Sequence, residues 1–152
     1  MKVSDRLTQL GLSLPEPSAP GGSYVSVNVR GHIAYVAIQF PIRNGEYLYQ
    51  GRLGKEVSTA DGYQAAQLCT LNALAQLNKH VGFDRLVGIN HFDAYFQAAP
   101  DWDDSPQVVD GASDLLTQVL GERGQHSRAI FGVERLPRDF CVGLTLSGTV
   151  LP

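Results

Sequence analysis

Two stretches of helical period, each opened by a capping residue and closed by a glycine, divide this chain and constrain what can be built around them. In the first, Ser58-Thr59-Ala60-Asp61 is a helix start, with Ser58 as cap and Asp61 in the first turn. Ala65, Leu68, Cys69, Leu71, Leu74, Ala75 and Leu77 then recur on one side to about Val81, and Gly82 stops the run. The second opens at Ser105-Pro106, a favoured cap and first-turn pair, and reaches Leu120 before Gly121. Strand-like runs surround them at 24–30, 33–39, 85–96, 128–135 and 140–150. The order strand, strand, helix, strand, helix, strand, strand predicts an α+β fold with both helices stacked on one face of a mixed sheet.

Alternation is clearest at the start. Tyr24, Ser26 and Asn28 fall on one face of the first run, and Val25, Val27 and Val29 on the other. Gly31-His32 joins it to the second run. Leu136-Pro137-Arg138-Asp139 reads as a four-residue turn pairing the last two strands as a hairpin. Residues 1–22 read as a lead-in: a short helix over 4–10, capped by Ser4 and stopped by Gly11, then a Pro- and Gly-rich loop. Pro41 to Gly54 reads as a loop or ragged hairpin. The 152 residues fit one domain, large enough for a core without staples.

Charge and cysteine usage narrow the partners. A net charge of −3 without a Lys/Arg cluster argues against nucleic acid. Cys69 and Cys141 sit in apolar runs, as reduced core thiols do. The start of the chain has no signal-like apolar segment and no stretch reaches membrane length, so the expected address is cytoplasmic, with no membrane partner. His32, His80, His91 and His126 share no metal-ligand spacing, and neither a metal nor a cofactor is expected. Gly51-Arg52-Leu53-Gly54-Lys55 has the wrong glycine spacing for a phosphate loop, and Glu56 stands where Ser or Thr is needed. No Gly-x-Ser-x-Gly elbow is present. Asp101, Asp103 and Asp104 read as a solvated loop favouring the helix N-terminus that follows.

Three motifs in register go further. Arg128-Ala129-Ile130-Phe131-Gly132-Val133-Glu134-Arg135-Leu136-Pro137 resembles the signature of the RidA/YjgF family, an arginine-led strand running into Leu-Pro. Upstream, Tyr24 through Gly31 to Gln39-Phe40-Pro41 matches a second family stretch. Asp110-Gly111-Ala112-Ser113-Asp114-Leu115-Leu116 is similar to a longer branch, often labelled endoribonuclease L-PSP-like. The resemblance covers about residues 18–152. It implies a chorismate-mutase-like α/β sandwich with a six-stranded sheet and two main helices, closing into a homotrimer with ligand clefts between subunits. It places Arg128 as the carboxylate-binding arginine and Tyr24 as the cleft tyrosine, and aligns Asp110 with a family asparagine. In the deaminase branch the substrate is an enamine or imine derived from an amino acid, which is hydrolysed. A guanidinium fork suits a carboxylate because it offers two parallel bonds and stays charged.

The departures bear on activity. The family deaminases carry a glutamate six residues after the Leu-Pro proline, and that position is Gly143 here. Ala37-Ile38 stand for the family Ser-Gly. Glu134, on Arg128's strand face by period two, is a candidate substitute carboxylate, and so is Asp110; cross-strand pairing and a polar helix face are their plain structural readings. Read without the resemblance, Arg128 is a surface strand residue and Tyr24 a strand-end aromatic. If the Leu136–Asp139 turn makes a hairpin, Gly132 faces Gly143, leaving bare sheet beside Ile130 for a bulkier carboxylate. The leading expectation is a small-carboxylate-binding protein with at most weak imine deaminase (hydrolase) activity. A non-catalytic regulatory trimer is the alternative. Endoribonuclease activity is disfavoured by the acidity and by the absence of a basic stripe.

Overall fold

A computed structural model describes residues 1–152. Helix α1 (Val3–Gln9) buries Val3 and Leu7, one turn apart, and ends at Gly11 with φ of 71°. Ser4 lies inside this helix and does not cap it; Lys2 holds the cap position, and the Ser4 carbonyl accepts from the Thr8 hydroxyl at 3.0 Å. β1 (Val27–Arg30) and β2 (Ile33–Gln39) form the expected antiparallel hairpin around Gly31. The ladder starts later than the alternation suggests, because the Tyr24 N–H turns back onto the Gly22 carbonyl and leaves Tyr24 and Val25 outside it. The ragged segment that follows is a small ribbon, β3 (Ile42–Arg43) against β4 (Glu46–Tyr47).

Helix α2 (Thr59–His80) is capped as expected, Ser58 Oγ accepting from the Asp61 N–H at 3.0 Å. After β5 (Leu86–Phe96) comes α3 (Ser105–Leu120). Asp104 rather than Ser105 holds its cap position, and the Asp104 carboxylate accepts from the Thr59 hydroxyl at 3.3 Å. β6 (Ser127–Gly132) and β7 (Val142–Val150) complete the chain. Leu71, Leu74, Leu115 and Leu116 from α2 and α3 bury themselves with Phe92, Val142, Leu144 and Leu146 in one core. Residues between those strand positions, such as Asp93, Thr145 and Ser147, face the other way and leave that face of the sheet open. Trp102 packs edge-on against Phe96 and donates to Thr59 Oγ1 at 2.9 Å. No helix is long and apolar enough to cross a membrane.

The sheet is mixed but has five strands, not six, in the order β1-β2-β7-β5-β6. The expected final hairpin does not form. β6 runs parallel to β5, as a strand delivered by a crossover helix must, and β7 pairs antiparallel with β5 on its other side. Gly132 therefore faces Phe96 and Gly143 faces Tyr95, so the two glycines are neither paired nor on the same face. The physical reason lies in the connection. Arg138 and Asp139 take φ of 55° and 59°, which bends the chain across the end of β5. Gln97, fully buried there, clamps it: Oε1 accepts from the Leu136 N–H at 2.7 Å, and Nε2 donates to the Gly51 carbonyl at 2.9 Å and Asp139 Oδ1 at 2.8 Å.

Cys69 and Cys141 are unpaired and buried. Burial pushes the Cys141 thiol up to about 12 and raises Cys69 as well, so neither offers a thiolate near neutrality. Replacing the clamp tests its weight. Gln97→Ala leaves the Leu136 N–H and the Gly51 carbonyl without their partner, at ~1–3 kcal/mol per buried unpaired group. We expect a loss of about 2–3 kcal/mol in urea denaturation; a change under ~0.5 kcal/mol would show that the connection holds itself.

Candidate functional site

Arg128 stands on β6, the edge strand, in register with Phe92, and so points to the helix-covered face. There it meets α3. Nη1 donates to Asp110 Oδ1 at 2.9 Å and to Ser113 Oγ at 3.1 Å. Asp110, Ser113 and Asp114 share one face of α3 by their spacing of three and four. Asp114 accepts from the Tyr63 hydroxyl of α2 at 2.7 Å, and this bond, with burial second, pushes the phenol up to about 12. His126 closes the group: Nδ1 lies 2.7 Å from the Gly124 carbonyl and Nε2 2.9 Å from Ser113 Oγ. The Arg128 side chain is 27% exposed, and its Nε and Nη2, the edge that makes a two-point fork, bond to no protein atom.

The other candidate residues lie elsewhere. β6 ends at Gly132, roughly 13 Å of strand beyond Arg128, and Glu134 lies past that end. Arg52 holds it there, Nη2 taking the Glu134 carbonyl at 2.7 Å and the carboxylate at 3.6 Å, so Glu134 does not reach Arg128. Gly132 looks onto the Phe96 ring. Tyr24 is at the far side of the sheet, its hydroxyl accepting from the Gly21 N–H at 3.0 Å. It borders a groove of about 860 Å³ on the open face, with Asn28, Arg30, Tyr35, His91 and Asp93. His91 bridges Asp93 Oδ1 (2.8 Å) and Ser127 Oγ (2.7 Å) on this face. Sequence reasoning named Arg128 and Asp110 separately and missed Ser113, His126 and the His91 bridge. The signal was the same periodicity: Ser113 is three residues from Asp110, and His126 two from Arg128.

Residues 4–146 match the model of the YjgF/chorismate mutase-like family, which carries a provisional endoribonuclease description. The chain belongs to this family. It is 32% identical over 138 residues to protein TCP17 of Trypanosoma cruzi, spanning 90% of this chain and 86% of that one. A structure from Shewanella oneidensis MR-1, provisionally described as an endoribonuclease, superposes with a TM-score of 0.96 at 34% identity, covering 99% and 100% of the two chains. Escherichia coli TdcF, solved with bound serine, shares the fold with a TM-score of 0.66 at 19% identity, over 91% of this chain and 96% of its own.

Gly143, where the family resemblance sets a glutamate, has no free room for a side chain. A Cβ on Gly143 would lie 2.7 Å from the Phe40 ring and 3.2 Å from Ile38. Phe40 is held in place by stacking on Phe140, with centroids 4.9 Å apart. Gly143→Glu should therefore destabilise the chain by ~1–3 kcal/mol, the usual cost of overpacking. Combined with Phe40→Ala, it should lose clearly less than the sum of the two single changes, because each relieves the other. Additive losses in chemical denaturation would show that Phe40 does not occupy the space.

Proposed function

We propose that this YjgF-family protein binds a small carboxylate-bearing metabolite on Arg128, in a cleft completed by a second copy of the chain. The unpartnered Nε–Nη2 edge of Arg128 carries this reading: a guanidinium held by α3 through one nitrogen presents its remaining two donors as a fork. TdcF bound to serine, itself an α-carboxylate, supports the same ligand class.

A second copy enters from the sheet order. Tyr24 precedes β1 at one edge, and Arg128 lies on β6 at the other. Four inter-strand steps of about 4.8 Å separate those edges by roughly 19 Å, so one site uses both only if Tyr24 comes from a neighbour. The open face also exposes Tyr35 and Phe131, the latter stacked on Tyr95. Apolar rings on an uncovered sheet favour association. A homotrimer with the open faces turned inward covers these rings and would set the β1 edge of one copy, with Tyr24, beside the β6 edge of the next.

Phe40 in the room beside Gly143 favours binding over hydrolysis by the glutamate route. Asp110 in turn is a neighbouring carboxylate on Arg128 Nη1, and its charge offsets part of the attraction that a ligand carboxylate meets at the other two nitrogens.

Calorimetry with pyruvate and serine tests the site. Arg128→Ala should abolish measurable binding, at about 2–5 kcal/mol for one side of a desolvated charge pair, and Arg128→Lys should restore little because the fork is lost. Asp110→Asn should tighten binding by up to about fivefold, the worth of a half-exposed ion pair. Unchanged affinity in Arg128→Ala would remove Arg128 from the site. Light scattering at micromolar concentration should return a trimer, and a stable monomer would end the shared-cleft reading.

A further inference from the structure

On the open face, away from the Arg128 fork, one row of paired residues crosses the sheet. Ladder pairing sets Tyr35 of β2 beside Ser147 of β7, Ser147 beside His91 of β5, and His91 beside Ser127 of β6. His91 and Asp93, two residues apart, share that face. A hydroxyl, an imidazole and a carboxylate therefore follow one another. Ser127 Oγ lies 2.7 Å from His91 Nδ1, and His91 Nε2 lies 2.8 Å from Asp93 Oδ1. The carboxylate can only accept, so Nε2 carries the ring proton and Nδ1 accepts from the Ser127 hydroxyl. The other acceptor near that hydroxyl, the Asn90 carbonyl, stands at 3.4 Å, too long to compete. Ser127 is exposed, and the His91 and Asp93 side chains are 39% and 33% exposed, so the group is open to a molecule on the face.

Two further features distinguish it from an ordinary cross-strand pair. A bulge in the β5–β7 ladder between Ile89 and His91 turns Asn90 onto the open face, where Oδ1 accepts from the Thr149 hydroxyl at 2.9 Å. Asn90 Nδ2 bonds to no protein atom, on the residue whose carbonyl borders the Ser127 hydroxyl. The row also continues as the floor of the groove of about 860 Å³, from His91 past Ser147 to Tyr35, two strand steps or roughly 10 Å away.

We propose that Ser127, His91 and Asp93 form a nucleophilic site that hydrolyses a small carboxylic ester lying along this row. Nucleophile, base and orienting carboxylate stand in the order such catalysis requires. The site is separate from the Arg128 fork, which faces the helices. In the first half Ser127 Oγ bonds to the ester carbon, its proton passes to His91 Nδ1, and the carbonyl pair moves onto oxygen, where Asn90 Nδ2 can donate to it. That pair returns, the bond to the alcohol oxygen breaks, and the alcohol leaves with the proton from Nδ1. In the second half water bonds to the acyl carbon and gives a proton to Nδ1. The carbonyl re-forms and expels Ser127 Oγ, which takes that proton back. Ester and water become acid and alcohol, with no other reactant. Asp93 is a positioning residue: it fixes the ring tautomer and offsets the charge of the imidazolium. Ser127 and Ser147 beside His91 are uncharged, and Arg30 on β1 borders the groove three strand steps away, about 14 Å. In the trimer proposed above, Ser127 lies on the β6 edge that meets the neighbour's β1, so the ester would enter along that seam.

The test treats the full chain, in its solution assembly, with phenylmethylsulfonyl fluoride and locates the adduct by peptide mass spectrometry. Hydrolysis of p-nitrophenyl acetate reports turnover. A single sulfonyl adduct should appear, on Ser127, and Ser127→Ala should remove both the adduct and the hydrolysis above the spontaneous rate. His91→Gln and Asp93→Asn should each slow both reactions on the order of 10²-fold, the usual worth of general-base help. Rates are compared below the melting transition of each variant, so loss of fold does not enter. The wild-type rate should rise with pH as the imidazole loses its proton, and His91→Gln should flatten that rise. An unlabelled Ser127, or an adduct on other residues alone, would overturn the proposal. So would labelling of Ser127 at the wild-type rate in both His91→Gln and Asp93→Asn, which would leave His91 as a structural bridge.

Discussion

β5 has a parallel neighbour on one side and an antiparallel neighbour on the other, and the geometry at Arg128 follows from that. A parallel partner cannot be reached through a tight turn, so the chain must climb back over the sheet as α3 before it can lay down β6. The same crossover that makes β6 an edge strand thus sets α3 above it. Asp110 and Ser113 meet Arg128 because helix and strand are successive parts of one unit. β7 then has to cross the end of β5 to reach its place between β5 and β2, which is why a buried glutamine is needed there. An unclamped loop at that point would carry backbone groups with no water to satisfy them.

Local rules read the helices well and the sheet only in part. Ser58, Gly82 and Gly121 act within a few residues of themselves, so their signals survive in the sequence. The error at the C-terminus came from the opposite situation. Leu136-Pro137-Arg138-Asp139 has the length of a hairpin loop, and nothing inside it shows that β5 lies between the strands it joins. That information sits in Gln97, some forty residues earlier, whose side chain bonds both ends of the segment. The site divides the same way. Arg128 and Asp110 were each visible through a family motif, but their ion pair depends on the crossover. Ser113 lies in a family stretch that gives it no role and His126 lies outside the motifs, and only stepping along the two elements by their own periods leads to them.

The space beside Gly143 is not a vacancy. The space a side chain would need there holds Phe40, stacked on Phe140, with Tyr47 against Phe140 at 5.2 Å. Aromatic pairs of this kind add about 0.5–1.5 kcal/mol beyond their burial. A glutamate at that position would have to break the stack and bury a carboxylate among rings, a combination that desolvation makes costly. The glycine and the aromatic cluster therefore form one packed unit, and a glutamate introduced there alone has no room.

The contact between Arg128 and Asp110 bears on how a ligand enters. Asp110 is about half exposed, and an ion pair in that setting contributes between nothing and ~1 kcal/mol. So weak a bond restrains the guanidinium without satisfying it, and it uses only one nitrogen. A ligand carboxylate arriving at the other two need not displace Asp110 to bind. In the proposed shared cleft its pairing would be strengthened once a second copy removes water, since the attraction between two charges rises steeply as the effective dielectric falls. On that proposal, affinity and assembly would be coupled through one group. Ser113 is ordered by the same arrangement. The Gly124 carbonyl can only accept, so His126 Nδ1 carries the proton and Nε2 accepts from the Ser113 hydroxyl. The cation on its oxygen side and the imidazole on its hydrogen side then polarise the hydroxyl in a single direction, which neither neighbour achieves alone.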